Sequence, residues 1–213
     1  MNYTRRLGYI VMLLLVCAAT SRADVQQVGP NSYVVGVRST EFEYFAAPIV
    51  QGRQRQENWC WAASIQMVLN YHGLPVTQEQ IVQRVFGQQV NRAADRDQIM
   101  QALDSWAFDL LGRPSLIRAS PFVWDDAILN DLAFRWPLIV GLKNDDGGGH
   151  AYVLTALQFH YELYNTGYGY VRRPVFDHVV LRDPSPYAQS RQVWTWSDFR
   201  AKLLLTDRVY IAR

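Results

Sequence analysis

Cysteine is scarce in this chain of 213 residues, which contains only Cys17 and Cys60. No two cysteines or histidines stand at metal-ligand spacing, and so few thiols exclude a multi-thiolate zinc site. Residues 147–149 are a run of glycines, but the Lys-Ser or Lys-Thr of a phosphate-binding loop does not follow them. The sequence therefore gives no sign of a metal or a nucleotide, and we expect no cofactor.

An excess of charge of one sign is also lacking. The chain has 21 Lys and Arg against 19 Asp and Glu, without a run of like charge. Three of the arginines lie in the first 23 residues, so that removal of this segment would leave 18 basic and 19 acidic residues. A net charge so close to zero gives no reason to expect a nucleic-acid partner.

The N-terminal segment has the order of a secretory signal. Two arginines precede an apolar run over residues 10–19, and the Ser-Arg-Ala of residues 21–23 places small residues at both positions that signal peptidase requires. The run is too short for an anchor, because a membrane-spanning helix needs about 20 apolar residues. We predict a signal peptide over residues 1–23, a secreted or periplasmic location and no stable membrane insertion after cleavage. Cys17 is a weaker candidate for lipid attachment, since a valine precedes it.

The first half of the remaining chain favours helices. Apolar residues at intervals of three and four predict a helix that begins at Cys60 and ends before the Gly-Leu-Pro of residues 73–75. The Thr-Gln-Glu-Gln of residues 77–80 is a capping box and predicts the start of a second helix. Further helices are expected over residues 95–106 and 124–134.

The second half favours strands. Short apolar or β-branched runs predict strands over residues 138–142, 151–157 and 179–181. Tyrosine-rich segments on either side of the Asn-Thr-Gly of residues 165–167 predict a projecting hairpin. Helices followed by strands indicate an α+β fold, in which a helical N-terminal half carries Cys60 and an antiparallel sheet forms the C-terminal half.

Cys60 would have no disulfide partner after export. A lone cysteine in an oxidising compartment is either a small buried apolar residue or a reactive thiol. At the start of a helix, free amides and the helix dipole lower the pKa of a thiol from its usual value of about 8.5. Its position therefore favours a nucleophile, which needs a histidine, a group to orient that histidine and donors for an oxyanion.

His150 has the most suggestive context of the four histidines. It follows a flexible Asp-Asp-Gly-Gly-Gly loop and begins a predicted buried strand, which would deliver its imidazole to the mouth of that strand. His72 has the position of a helix-end residue, and His160 and His178 have the positions of surface or sheet residues.

Asp183 is the favoured orienting group. It ends a predicted strand and precedes Pro184, and from a strand paired with that of His150 it could reach the far side of the imidazole. Asp145, Asp146 and Asp177 are the alternatives.

Together these residues resemble a known family. Gln54 stands six positions before Cys60, a tryptophan follows the cysteine, and the order Cys, His, Asp is that of papain-like proteases. The Asn-Trp-Cys-Trp-Ala-Ala-Ser of residues 58–64, the capping box, the Gly-His-Ala around His150 and the Asp-Pro at Asp183 are similar to small bacterial papain-like cysteine proteases. That group includes effector proteases of plant pathogens and is related to the bacteriocin-processing peptidases. The resemblance covers residues 50–205.

The resemblance implies a papain-like fold and hydrolysis of peptide bonds through a thioester acyl-enzyme, with a peptide or protein as substrate. It makes Cys60 the nucleophile, His150 the base and then the acid, and Asp183 the orienting group. The Gln54 amide and the Cys60 backbone N–H would form the oxyanion hole, with Gln51 and Gln56 as alternatives to Gln54.

The resemblance also divides the chain and leaves other functions open. Residues 24–53 would be a short leader, containing a strand over residues 32–37, and residues 54–213 the peptidase domain. Trp194 or Trp196 would shield the triad acid from water. A cell-wall peptide amidase or an acyl transferase could use the same triad, and a binding protein could use the same scaffold without catalysis.

Overall fold

The computed structural model describes residues 25–47, 52–104, 106–121 and 125–212. The predicted signal peptide and Cys17 lie outside the described residues. Within these residues, six helices and eight strands alternate irregularly. The helices are α1 (Ser39–Ala46), α2 (Cys60–Tyr71), α3 (Gln78–Phe86), α4 (Arg96–Ala102), α5 (Asp125–Ala133) and α6 (Trp196–Lys202). The strands are β1 (Val25–Gly29), β2 (Ser32–Gly36), β3 (Leu116–Pro121), β4 (Leu138–Lys143), β5 (Gly149–Asn165), β6 (Tyr170–Arg182), β7 (Arg191–Thr195) and β8 (Leu203–Ala212).

All eight strands join one antiparallel sheet in the order β1-β2-β5-β4-β8-β3, with β6 and β7 added beside β5. The 17-residue strand β5 is its centre, since it pairs with β4 at its start, with β2 farther along and with β6 on its other side. The predicted α+β class is confirmed.

The two helices next to the cysteine follow from local sequence. Helix α2 begins at Cys60 and buries residues 61–69 in the core, as the apolar spacing predicts. Helix α3 has the predicted capping box, in which Thr77 and Gln80 each accept the other's backbone N–H. It ends at Gly87, whose φ of 71° is in the left-handed region that glycine adopts readily.

The β5–β6 hairpin also has the predicted form, with Asn165 paired to Tyr170 beside its turn. Its strands are longer than the short predicted runs, because polar residues between them continue the pairing where the sheet faces solvent. Periodicity alone does not detect such exposed pairing.

In the middle of the chain one expectation is wrong, and one strand was not predicted. The third helix stops at Ala102, because the amides of Leu103 and Asp104 bond carbonyls three residues back and so tighten the last turn. Trp106, expected on this helix, lies beyond it and donates its indole N–H to the Ala102 carbonyl. Strand β3, which the sequence analysis missed, then follows within the helical half and pairs with β8.

Helices cover the sheet on both faces. On β4 and β5, Ile139 and Val153 pack with α1 to α4 in one apolar core, whereas Val140 and Leu154 pack with α5 and α6 in the other. Alternate residues of each strand thus enter opposite cores, and both faces are apolar. None of the helices in the described part of the chain is long and apolar enough to cross a bilayer.

Much of the predicted leader packs into this domain. The strand expected at residues 32–37 is β2, whose Val35 pairs with Leu157 of β5. In α1, Phe42 and Ala46 are fully buried. Residues 25–46 therefore contribute strands to the sheet and side chains to the core.

Candidate active site

Cys60 is the first residue of α2 and is half-buried. Cys60 occupies the first helical turn, where the backbone N–H groups have no carbonyl partner within the helix. The N–H of Trp61 and the N–H of Ala151 on β5 both donate to the Cys60 sulfur. The start of the helix therefore provides an environment that favours a thiolate.

The sheet brings His150 and Asp183 together. His150 is the second residue of β5, Asp183 follows the last residue of β6, and the pairing of Val153 with Arg182 places both at the same end of the sheet. His150 Nε2 lies 2.8 Å from Asp183 Oδ1. The His150 side chain is 17% exposed and that of Asp183 is 5% exposed, so their hydrogen bond is largely protected from water.

The other side of the His150 ring meets the thiol. A hydrogen bond joins the side chains of Cys60 and His150. Because His150 Nε2 is bonded to Asp183, the ring nitrogen that bonds to the Cys60 sulfur is Nδ1. The structure thus joins Cys60, His150 and Asp183 in one hydrogen-bonded chain.

The surroundings shift the pKa values of Cys60 and His150 in the directions that favour an ion pair. Burial raises the pKa of Cys60, but the hydrogen bond and charge of His150, with the two backbone amides, lower it below its usual value. Burial likewise opposes the charged form of His150, yet Asp183 and Cys60 raise the pKa of His150 to about 9. The pKa of Cys60 is thus lowered and that of His150 raised, and both shifts favour a thiolate beside an imidazolium.

Asp183 is fixed by groups besides His150. The Ser185 backbone N–H donates to Oδ1 at 2.8 Å, and the Gln192 side-chain amide donates to Oδ2 at 2.7 Å. The Gln192 carbonyl in turn accepts the indole N–H of Trp194 at 3.0 Å. Gln192 was not predicted from the sequence, where its one signal is its place two residues before Trp194 on a strand that pairs with β6.

Aromatic rings close this side of the site. The ring of Tyr152 meets the His150 ring edge to face at 4.7 Å, and Trp194 packs behind Tyr152 at 6.0 Å. Burial, with the charges of Asp183 and Cys60, raises the pKa of Tyr152 to about 12, so its hydroxyl stays neutral. Trp196, the other tryptophan considered for shielding, packs instead on Phe176 and Phe199.

Gln54 lies in the loop before α2. Its side-chain N–H groups donate to the carbonyls of Gln56 at 3.1 Å and Glu57 at 2.7 Å, while its Oε1 is buried without a hydrogen-bond partner among the described residues. Of the alternatives, Gln56 is exposed and Gln51 lies outside the described residues. The amide of Gln54 thus braces the loop that leads to Cys60.

The loops that carry Gln54 and Asp183 are tied to each other. The Gln54 backbone N–H donates to the Pro184 carbonyl and the Arg53 guanidinium to the Asp183 carbonyl, each at 2.8 Å. Buried Gln78 then bridges to the Gln54 loop from α3, since its amide donates to the Arg53 carbonyl at 2.9 Å. A displacement of one loop would therefore displace the other.

Of the alternative bases, His160 has an acidic partner of its own, since its Nδ1 lies 2.9 Å from Asp177. His178 and His72 do not enter the chain of bonds around Cys60 in the described part of the protein.

The alternative acids are occupied elsewhere. Asp177 pairs with His160, Asp145 accepts a hydrogen bond from Lys202 at 2.6 Å, and Asp146 accepts the backbone N–H of Gly148 at 2.9 Å. Asp183 is the acid that the structure brings to His150.

A second loop is attached to the residues around the cysteine. The indole N–H of Trp59 donates to the Val90 carbonyl at 2.8 Å, and that of Trp61 to the Arg92 carbonyl at 3.1 Å. The Asn58 backbone N–H donates to the Asn91 side chain at 2.9 Å. The two tryptophans that flank Cys60 thus act as anchors for the α3–α4 loop.

The fold resembles that of a solved peptidase domain. The peptidase domain of Streptococcus ComA, a bifunctional ABC transporter of a quorum-sensing pathway, has a TM-score of 0.50 at 15% sequence identity, covering 78% of this chain and 98% of that domain. A double-glycine motif protease from an AMS/PCAT transporter, solved with its leader peptide, has a TM-score of 0.43 at 13% identity, covering 91% of this chain and 94% of its own. No protein with a curated description matches the sequence.

The sequence itself matches a family over most of its length. Residues 42–204 match the family described as papain-like cysteine protease AvrRpt2. This match includes Cys60, His150 and Asp183, and it agrees with the resemblance drawn from the motifs. The chain belongs to the AvrRpt2 family of papain-like cysteine proteases.

Proposed function

We propose that the protein hydrolyses peptide bonds with Cys60 as nucleophile, His150 as base and acid, and Asp183 as the orienting group. The observation that carries this proposal is the chain of hydrogen bonds in which His150 connects the Cys60 thiol to the Asp183 carboxylate. A nucleophile, a base and an orienting acid in this order are the minimum for covalent acyl transfer.

The first half of the reaction forms a thioester. The Cys60 thiolate attacks the scissile carbonyl, and the C–N bond breaks as the His150 imidazolium gives its proton to the departing amine. Asp183 keeps Nε2 of His150 occupied, so that Nδ1 faces the sulfur and the substrate.

The second half regenerates the enzyme. Neutral His150 takes a proton from water, the resulting hydroxide attacks the thioester, and the C–S bond breaks to release the acid. The sulfur departs as a thiolate, and His150 retains the proton. The net reaction consumes one water for each peptide bond.

The oxyanion would be held by the Cys60 backbone N–H and the Gln54 amide. In the free protein both N–H groups of Gln54 are bonded to the carbonyls of Gln56 and Glu57. Gln54 would therefore exchange one of these bonds for the oxyanion when substrate binds, at a small cost because one hydrogen bond replaces another.

We also propose that the substrate is a peptide or protein and that the enzyme acts outside the cytoplasm, secreted or in the periplasm. The proteases of its family support the first statement, and the signal-like segment over residues 1–23 supports the second. We further propose that catalysis needs no cofactor, since the residues for each step are those of the chain.

The proposal is tested by cleavage of fluorescent casein by mature wild-type protein, Cys60→Ala and His150→Ala, with His160→Ala as a matched histidine control outside the triad. Both triad variants should lose activity, and the control should retain it. Activity in Cys60→Ala would overturn the proposal. If an added amine accepted most of the acyl groups in place of water, the protein would instead be a transferase.

A further inference from the structure

The protein has a second concave site, and Cys60, His150 and Asp183 are not among the residues that line it. A cavity of about 260 Å³ lies beside the start of α1, over the part of the sheet formed by β1, β2, β5, β6 and β7. The strand residues that line the cavity are on the same face of the sheet as α1. The residues next to them along each strand point to the opposite face and enter the core under α5 and α6.

The floor of this cavity is apolar. Ala156 of β5, Val180 of β6 and Val193 of β7 lie side by side across three strands, and Val34 of β2 lies two residues from the Gly36 that pairs with Ala156. Gly36 completes the floor, and a Cβ there would lie only 2.2 Å from the Thr155 carbonyl oxygen. Position 36 therefore cannot carry a side chain, and the depth of the cavity depends on a glycine at this position.

The rim of the cavity is cationic. Arg38 and Arg191 line it, and neither guanidinium forms an ion pair with a described residue. Arg191 only donates its Nε–H to the Ser39 hydroxyl at 3.2 Å. Other arginines are paired with acids, namely Arg55, Arg113, Arg135, Arg182, Arg200 and Arg208.

Nothing in the lining balances this charge. None of the described residues that form the cavity is an Asp or a Glu. Arg182 lies behind the rim, where burial and the charge of Arg191 lower the pKa of Arg182. Among the described residues, Arg182 forms its ion pair with Glu43. The cavity therefore presents an excess of positive charge over an apolar floor.

The far side of the cavity offers hydrogen bonds. His178 and Gln158 are cross-strand partners there, and both line the cavity. His178 Nδ1 is inaccessible to solvent and has no hydrogen-bond partner among the described residues. A buried polar atom without a partner costs stability, and a turn of the imidazole toward the cavity would let a ligand bond to Nδ1 and remove that cost.

We propose that this cavity binds the carboxyl-terminal residue of a peptide. The free carboxylate pairs with Arg38 and Arg191, the terminal apolar side chain covers the valine floor, and the last amide bond reaches His178 and Gln158. Arginine suits this role because its planar fork matches a carboxylate. A volume of about 260 Å³ is at the small end for ligand sites and fits one or two residues.

Titration calorimetry of the mature protein with acetyl-Gly-Phe and with its carboxyl-terminal amide tests this proposal without measuring cleavage. The acid should bind at least 10-fold more tightly than the amide. Arg38→Gln combined with Arg191→Gln should remove this preference, and Arg172→Gln, an exposed arginine on the hairpin, should retain it.

Val193→Glu provides a second test, because it places a negative charge on the floor of the cavity without removing an arginine. Val193 is already half exposed, so the substitution does not bury the new charge. It should weaken binding of the acid more than binding of the amide. Equal binding of acid and amide by the wild type, no binding of the acid, or unchanged binding in both cavity variants would overturn the proposal. None of these outcomes depends on whether Cys60 is a nucleophile.

Discussion

The side-chain amide of Gln192 donates a hydrogen bond of 2.7 Å to the Asp183 carboxylate. Its carbonyl is itself held by the Trp194 indole at 3.0 Å, so Gln192 cannot rotate without breaking a second bond. His150 occupies the other oxygen of the same carboxylate. The orientation of the imidazole therefore depends on Gln192, which acts on His150 through the Asp183 carboxylate.

Gln192→Ala should lower kcat about 10-fold, since a hydrogen bond to a charged group contributes on the order of 1.5 kcal/mol. KM should change little, because Gln192 acts through Asp183. Steady-state kinetics with a peptide substrate measures both. Gln101→Ala is the control, an exposed glutamine whose side chain lies on α4. A normal kcat in Gln192→Ala, or a loss that follows the fraction unfolded, would contradict this role.

The rate of peptide cleavage should fall as the pH rises past about 9. The pKa of His150 is raised to about 9, mainly by Asp183 and Cys60 against the effect of burial, and above it His150 no longer supplies the proton for the leaving amine. The pH dependence of kcat/KM measures this limb. A rate that falls already between pH 6 and 7, at the usual pKa of a histidine, would contradict the imidazolium assignment.

The same ionisation contributes to stability. A histidine whose pKa is higher in the folded than in the unfolded state stabilises the fold fully below about 6.5, and this contribution is lost as the pH rises through about 9. Urea unfolding between pH 6 and 10 should therefore show a decline that is weaker in His150→Ala. Equal slopes in the two proteins would mean that His150 is not protonated in the fold.

The N-terminal segment should be required for folding. Phe42 is fully buried in α1, and Phe42→Ala should reduce the free energy of unfolding by about 3–5 kcal/mol. Tyr44, on the same helix, is 65% exposed, and Tyr44→Ala should cost less than about 1 kcal/mol. Urea denaturation compares them. Equal, small effects would show that α1 is dispensable, as a removable leader would be.

Asp207 should destabilise the protein at neutral pH. It is fully buried, and neither of its carboxylate oxygens has a hydrogen-bond partner among the described residues. Burial raises the pKa of Asp207, although the charge of Arg96 partly opposes this. A raised pKa favours folding below the unfolded value of about 3.9, and this contribution is lost as the pH rises through the folded value.

Asp207→Asn should accordingly raise the free energy of unfolding at pH 7 by about 1–2 kcal/mol, with a gain that shrinks toward pH 4. Glu57→Gln, in an exposed position, controls for the loss of one negative charge. A destabilised Asp207→Asn at pH 7 would show that the attraction to Arg96 outweighs the cost of burial.

The local parts of this structure could be predicted because their causes are local. The helix from Cys60, the capping box at Thr77 and the hairpin turn near Asn165 depend on residues a few positions apart. His150 and Asp183 could be selected since each stands at the end of a strand, and paired strands bring such ends together.

The remaining parts depend on contacts between distant segments. Strand β3 is stabilised by β8, about 90 residues later, and its alternation is too weak to indicate a strand alone. Gln192 has no motif, because its role exists only once β7 pairs with β6. The two bonds that occupy the Gln54 amide follow from the path of its loop, which composition does not determine.

Activation of the Cys60 thiol by His150 is tested by the rate at which iodoacetamide alkylates Cys60 as a function of pH, in mature wild-type protein and in His150→Ala. We expect a labelling pKa below that of a free thiol, about 8.5, and a rise in that pKa when His150 is removed. A wild-type labelling pKa near 8.5 that does not change in His150→Ala would contradict it, because His150 would then not activate Cys60.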